Sequence, residues 1–179
     1  MSAAFANRDK KEGEALTNQN RIKWTLDVNT ELKALQDVTI TDALPEHLTL
    51  DPATLKVNKL DVSEGDVTAG DAVNVANAGG NTDLSLNLGN ITGAYRITFE
   101  TIIDASILSK DFTNTAQFNG KAISSNVVKY DNSVTVVKKN TTTAGKIPGN
   151  TTGDEITISP DNRQEWEIYI NETNPKMIQ

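Results

Sequence analysis

The sequence predicts an all-β protein built as an antiparallel β-sandwich, and three observations carry that reading. Apolar and polar residues alternate with period two in one segment after another, the pattern of a strand with one buried face. Turn signals separate the segments: "EGD", "AGD", "AGGN", "NGK" and "YDN". No strand–helix–strand rhythm interrupts the series, so the strands are expected to pair antiparallel, with a closed barrel as the alternative.

The elements follow in order. "RIKWTLDVN" (21–29) puts Ile22, Trp24, Leu26 and Val28 on one face. "ELKALQ" (31–36) is read as a helical turn or two. "DVTITD" (37–42) turns Val38 and Ile40 inward, and Asp42 shares their parity. "TLKVNKLDV" (54–62) offers Leu55 and Val57, with a bulge expected before Leu60. "DLSLNLG" (83–89) aligns Leu84, Leu86 and Leu88. "AYRITFETII" (94–103) aligns Tyr95, Ile97, Phe99, Thr101 and Ile103. "DASILS" (104–109) is a second short helical candidate. "FTNTAQF" (112–118) is read as one strand, with Phe112, Asn114, Ala116 and Phe118 on one face. "AISSNVV" (122–128) and "SVTVV" (133–137) close the series.

Composition narrows the function. The chain has 179 residues and a net charge of −7, with no basic block, so a nucleic-acid partner is not expected. No apolar run approaches the ~18 residues of a membrane-crossing helix, so no membrane partner is expected. "MSAAFANRDKKEG" has no apolar core, so no signal peptide is expected within it. Cysteine is absent, which excludes disulfides, thiolate catalysis and Cys-based zinc sites. The one histidine, His47, sits in the Pro-flanked turn "LPEHLTLDP" and is read as an ordinary solvated residue. No metal or cofactor is expected.

From Asn140 the composition shifts to "NTTTAGKIPGNTTGD" (140–154), a Thr/Asn/Gly-rich linker. Beyond it, "NRQEWEIYIN" (162–171) echoes "QNRIKWTLDVN" (19–29). Asn-Arg, Trp and a closing Asn match in register, with Trp24 and Trp166 142 residues apart. That is an internal repeat. Residues 1–139 are read as one complete module, 140–153 as the linker and 154–179 as the truncated start of a second module. A lone strand with unpaired edges seeks another. Residues 154–171 are therefore expected to pair with a sheet edge, in cis or in trans as a strand-exchanged homodimer.

Four pieces, in order, resemble the collagen-binding domain family of Gram-positive cell-wall adhesins: "IKWTLDVN", "LQDVTITDALPEHLTLDPATLKVNKLDV", "LGNITGAYRITFETIID" and "FTNTAQFNGKAISSN". The resemblance covers residues 11 to about 137. It implies a variant immunoglobulin-like sandwich. It also implies an extracellular, cell-wall-anchored surface protein of repeated modules, whose partners are adjacent modules of the same chain and a host matrix protein such as collagen. Many members of the family carry an intramolecular isopeptide bond between a lysine and an asparagine, promoted by an aspartate.

That chemistry gives Asn114 a reason to share a face with two phenylalanines and an alanine. An unpaired amide there costs roughly 2–7 kcal/mol; an amide attacked by a lysine amine becomes an electrophile, and ammonia leaves. The amine must be neutral, which burial favours, and a protonated carboxyl can polarise the amide oxygen. Two acids are candidates. Asp27 in "WTLDVN" lies on the face opposite Trp24. Asp42 points inward and fits the "ITD" before "LP", with turn capping as its other reading. For the lysine, "KEG" (11–13) matches the family's Lys-x-Gly at Lys11, with Lys10 adjacent. The expected site is Lys11, Asp42 and Asn114, acting once on the chain itself and not as a turnover enzyme. Two other readings are weaker. A carbohydrate-active site would need paired carboxylates on one inward face, and Asp66 and Asp71 lie in Gly-rich turns. A calcium loop in "DVSEGDVTAGD" (61–71) lacks EF-hand spacing.

Overall fold

The structure is a computed structural model of the chain. It describes residues 9–16, 19–63 and 66–133, and the backbone of 136–140 and 166–170. The chain divides into two compact units, Met1–Asn132 and Ser133–Gln179.

Among the described residues of the first unit eleven strands follow one another: β1 Lys10–Leu16, β2 Arg21–Val28, β3 Leu35–Ala43, β4 Leu48–Ser63, β5 Asp66–Val73, β6 Asp83–Ile91, β7 Ala94–Ile103, β8 Ser109–Phe112, β9 Thr115–Phe118, β10 Lys121–Ser124 and β11 Val128–Asp131. They form a five-stranded sheet in the order β1-β2-β7-β4-β5, a four-stranded sheet in the order β10-β9-β3-β6, and a two-stranded ribbon of β8 and β11. Every pairing is antiparallel. The fold is the expected all-β antiparallel sandwich, immunoglobulin-like, and the described residues contain no helix.

Alternation explains the core. Ile22, Trp24, Leu26 and Val28 of β2 are fully buried, as are Val38 and Ile40 of β3 and Ile97 and Phe99 of β7. One apolar cluster joins these residues from both sheets with Leu84, Leu86, Phe112, Ala116 and Phe118. Trp24 stands opposite Phe99 in the β2–β7 ladder, an aromatic cross-strand pair at the centre of the five-stranded sheet. The Trp24 indole N–H donates to Thr101 Oγ1 at 2.9 Å, and Thr101 is itself fully buried. That bond satisfies the one polar group the largest core side chain carries. The bulge expected before Leu60 appears as a register shift between Asn58 and Leu60 in the β4–β5 ladder.

Four expectations need correction. "ELKALQ" forms no helix. Leu32 N–H bonds Asn29 O at 2.9 Å, and Asn29 (φ +55°) and Leu32 (φ +57°) take left-handed backbone. The Asn29 carboxamide closes the turn by bonding both the N–H and the C=O of Lys33. "DASILS" is likewise a turn, held by Asp104, whose C=O accepts from Ile107 N–H and whose Oδ1 accepts from Ser106 N–H. "FTNTAQF" keeps its alternation of buried residues, but its ladder breaks at Thr113-Asn114, where the chain passes from β8 to β9. "AISSNVV" is two strands, with Ser125–Val127 between β10 and β11, so that Ile123 and Val128, five apart and out of phase, both face inward.

In the second unit β12 (Val136–Asn140) pairs antiparallel with β13 (Trp166–Ile170), from Val136 opposite Ile170 to Asn140 opposite Trp166. The strand that carries the repeat's Trp166 thus meets residues 136–140 of its own chain. The linker after Asn140, and Ile156 and Ile158 at the start of the second copy, lie outside the described residues.

Two substitutions probe the centre of the core. Trp24→Ala should lower unfolding stability by about 3–5 kcal/mol through cavity formation. Thr101→Val, nearly the same shape, should cost about 1–3 kcal/mol by leaving the indole N–H unpaired. Urea unfolding followed by tryptophan emission measures Thr101→Val directly, and circular dichroism measures Trp24→Ala.

Candidate functional site

Lys11 enters the interior because of register. β1 is an edge strand of the five-stranded sheet, with Lys11 opposite Leu26 of β2, and the residues of that parity point inward. The lysine side chain is wholly buried, whereas Lys10, one position earlier, is half exposed and pairs with Glu12 on the surface. The structure therefore brings Lys11, not Lys10, into the core. Asp42 comes from the opposite sheet. It is the third inward residue of β3, opposite Leu84 of β6 and Ala116 of β9. Asn114, fully buried, stands one residue before β9, at the break in the "FTNTAQF" ladder.

The three side chains meet between the sheets. Asp42 Oδ2 accepts from Lys11 Nζ and, at 3.2 Å, from Asn114 Nδ2. Aromatic walls surround the amine: Nζ lies 5.5 Å from the centroid of the Trp24 ring and 5.7 Å from that of Phe99. Two buried oxygens, Asp42 Oδ1 and Asn114 Oδ1, have no hydrogen-bond partner. Both belong to the carboxyl and carboxamide already in contact, and a proton on the carboxyl is the donor that the pocket lacks.

Burial acts on both titratable groups. It pushes the Lys11 amine below its ordinary pKa, against the opposing pull of Asp42. It pushes the Asp42 carboxyl above its ordinary range, against the opposing pulls of Lys11 and Asn114. Desolvation is the largest cause for both groups, so burial shifts each of them toward its neutral form. The pocket thus brings together a lysine amine, a carboxyl and a carboxamide, each within reach of the next.

The other acid weighed from sequence lies elsewhere. Asp27 is buried on the outer face of β2 beneath Arg96, whose Nε and Nη2 each donate to a different carboxylate oxygen at 2.7 Å. It is a structural ion pair. His47 is partly exposed, with left-handed backbone in its turn, and stands away from the cluster beside Glu46. Sequence reasoning missed the residues that hold the site's frame. Thr101 orients Trp24, Asp9 Oδ1 accepts from both the N–H and the Oγ of Thr30, and Ser125-Asn126 contacts both Asn114 and β1. The cluster "SSN" of turn-forming residues was the available signal for the last pair.

A family model described as "Collagen binding domain" matches residues 7–129. No curated protein sequence matches the chain. Among solved structures, the collagen-binding domain from a Staphylococcus aureus adhesin is similar at 19% identity and a TM-score of 0.52, over 73% of this chain and 100% of that one. The S. aureus collagen adhesin is similar at 20% identity and a TM-score of 0.52, over 72% of this chain and 50% of that one. This chain thus spans about half of that adhesin's length. The major pilin subunit of Bacillus cereus is similar at 13% identity and a TM-score of 0.51, over 90% of this chain and 55% of that one.

Breaking the buried cluster on one side should be worse than replacing it. In an Asn114→Ala background, Lys11→Met should destabilise by about 1–3 kcal/mol by leaving the buried Asp42 carboxyl without its partner. Adding Asp42→Leu should recover most of that loss. Chemical unfolding of the single and double variants measures the difference.

Proposed function

This chain belongs to the collagen-binding domain family, and from that premise we propose that it is a module of a bacterial cell-surface adhesin stiffened by a self-formed isopeptide bond between Lys11 and Asn114. The observation that carries the proposal is the buried Lys-Asp-Asn cluster, in which Asp42 Oδ2 meets both Lys11 Nζ and Asn114 Nδ2 and two buried oxygens lack a donor.

The geometry supports the following reaction. The Lys11 Nζ lone pair attacks Asn114 Cγ while the protonated Asp42 carboxyl polarises Asn114 Oδ1. Asp42 then takes a proton from the attacking nitrogen and passes one to Nδ2. The Nζ–Cγ bond forms, the Cγ–Nδ2 bond breaks and ammonia departs, leaving a secondary amide and Asp42 protonated as before. There is no redox change, no cofactor and no turnover. The role of the buried pocket is to favour the neutral amine and to limit access of bulk solvent.

The bond would tie the edge strand β1 of one sheet to the head of β9 in the other. Closing a loop of ~100 residues constrains the unfolded chain by roughly 4–5 kcal/mol on the argument used for disulfides. In a chain without cysteine, such a tie suits a protein that works outside the cell, under load, as a wall-anchored adhesin does. The ligand in this reading is a host matrix protein of the collagen type, and adjacent modules of the parent chain are the other partners. The alternative within the same reading is a stalk spacer that binds no ligand.

Intact mass tests the chemistry. The wild-type protein should weigh one ammonia less than its sequence. Lys11→Ala and Asn114→Ala should each weigh the full sequence mass, and Asp42→Ala should lose ammonia slowly or not at all. A full-mass wild type overturns the crosslink. Surface-captured triple-helical collagen tests the ligand: saturable binding supports the adhesive role, and its absence leaves the spacer role.

A further inference from the structure

Two consecutive residues outside the buried cluster reach both strands that the proposed bond would join. Ser125 holds Asn114. Its N–H donates to Asn114 O at 2.9 Å, and its Oγ accepts from Asn114 N–H at 3.0 Å. In an unbroken β9–β10 ladder, the Asn114 N–H would go to a backbone carbonyl; here a side chain takes it. Asn126 holds β1. Its Oδ1 accepts from Gly13 N–H at 2.8 Å, and its Nδ2 donates to Gly13 O at 3.1 Å. One carboxamide thus satisfies both backbone groups that Gly13 presents on the free edge of β1, as a neighbouring strand's peptide would. The Ser125 hydroxyl proton goes to Asn126 O at 2.7 Å, which locks the two residues to each other.

We propose that Ser125-Asn126 is a positioning clasp for the crosslink, setting the approach of Lys11 to Asn114. The inference rests on the crosslink reading and extends it to residues that touch neither reacting atom. Lys11 is two positions from Gly13 on the same face of an edge strand that has a ladder on one side only. Gly13 fits its place closely: a Cβ there would run into Trp24 Cζ3 and lie 2.5 Å from Val128 Cγ2. Asn126 is what holds Gly13 from the open side. Releasing it lets β1 drift from the cluster, and releasing Ser125 lets the amide carbon rotate at the break between β8 and β9. A displacement of about 1 Å in such a geometry slows a reaction by as much as a hundredfold.

The experiment is a time course. Protein made by cell-free synthesis is quenched at intervals, and loss of ammonia is followed by intact mass. Folding is checked in each sample by the emission of buried Trp24. Ser125→Ala, Asn126→Ala and Asn126→Asp, the last keeping only the acceptor for Gly13 N–H, should slow ammonia loss by about ten- to a hundredfold in the folded fraction. Ser125→Thr, which keeps the hydroxyl, should restore the parental rate. Leu88→Ala, a core truncation in β6 remote from the clasp, should lower stability but leave the rate unchanged. If the clasp variants react at the parental rate, or if Leu88→Ala slows the reaction as much, the clasp is overturned while the crosslink stands. If the wild type loses no ammonia, the crosslink falls and the clasp with it. Should Asn126→Ala fail to fold, Ser125→Ala and Asn126→Asp decide by the same criterion.

Discussion

The dominant constraint on this fold is the enclosure of an amine, a carboxyl and a carboxamide between the two sheets, out of reach of solvent. None of the three would be stable there alone, since an isolated buried charge or unpaired amide costs several kcal/mol. They are tolerated because each is brought by a different strand to the same point: Lys11 by β1, Asp42 by β3 and Asn114 by the approach to β9. Lys11 comes from one sheet and its two partners from the other side, so closing the sandwich and assembling the site are one event. Trp24 and Phe99 both form the centre of the apolar core and wall in the amine. Packing and chemistry therefore use the same side chains.

An edge strand is a weak place to hold a reacting group, because half its backbone bonds have no ladder. The frame around β1 compensates at several points. Asp9, just before the strand, accepts from the N–H and hydroxyl of Thr30 beyond the end of β2. The Asp27–Arg96 pair ties β2 to β7 on the outer face, in register with Lys10 on β1. The Asn126 carboxamide stands in for a missing strand at Gly13.

The alternation of apolar and polar residues made the strands, the inward faces and the sandwich legible, because side-chain direction in a strand depends on little beyond the pleat. The same parity distinguished Asp42 from Asp27 and marked Asn114 as the polar residue on an apolar face. Parity failed where the chain left one ladder for another. "AISSNVV" reads as one strand, yet its two halves belong to different sheets, and the change of phase at Ser125–Val127 depends on which partners are available. "ELKALQ" carries good helix formers, but an Asn29 carboxamide bonding across the turn overrode that preference.

What the sequence determined by itself was local and periodic: an all-β chain, its buried faces, and the residue types able to form a Lys-Asn crosslink. What only the tertiary structure decided was which groups share a space. Lys10 and Lys11 are indistinguishable by composition; the β1–β2 register alone turns one to solvent and the other to the core. The shifted protonation of Lys11 and Asp42 arises from burial between two sheets, which no single segment encodes. The bridge from Gly13 to Asn126 spans 113 residues, and hydrogen bonds over such separations exist only once the chain has closed on itself.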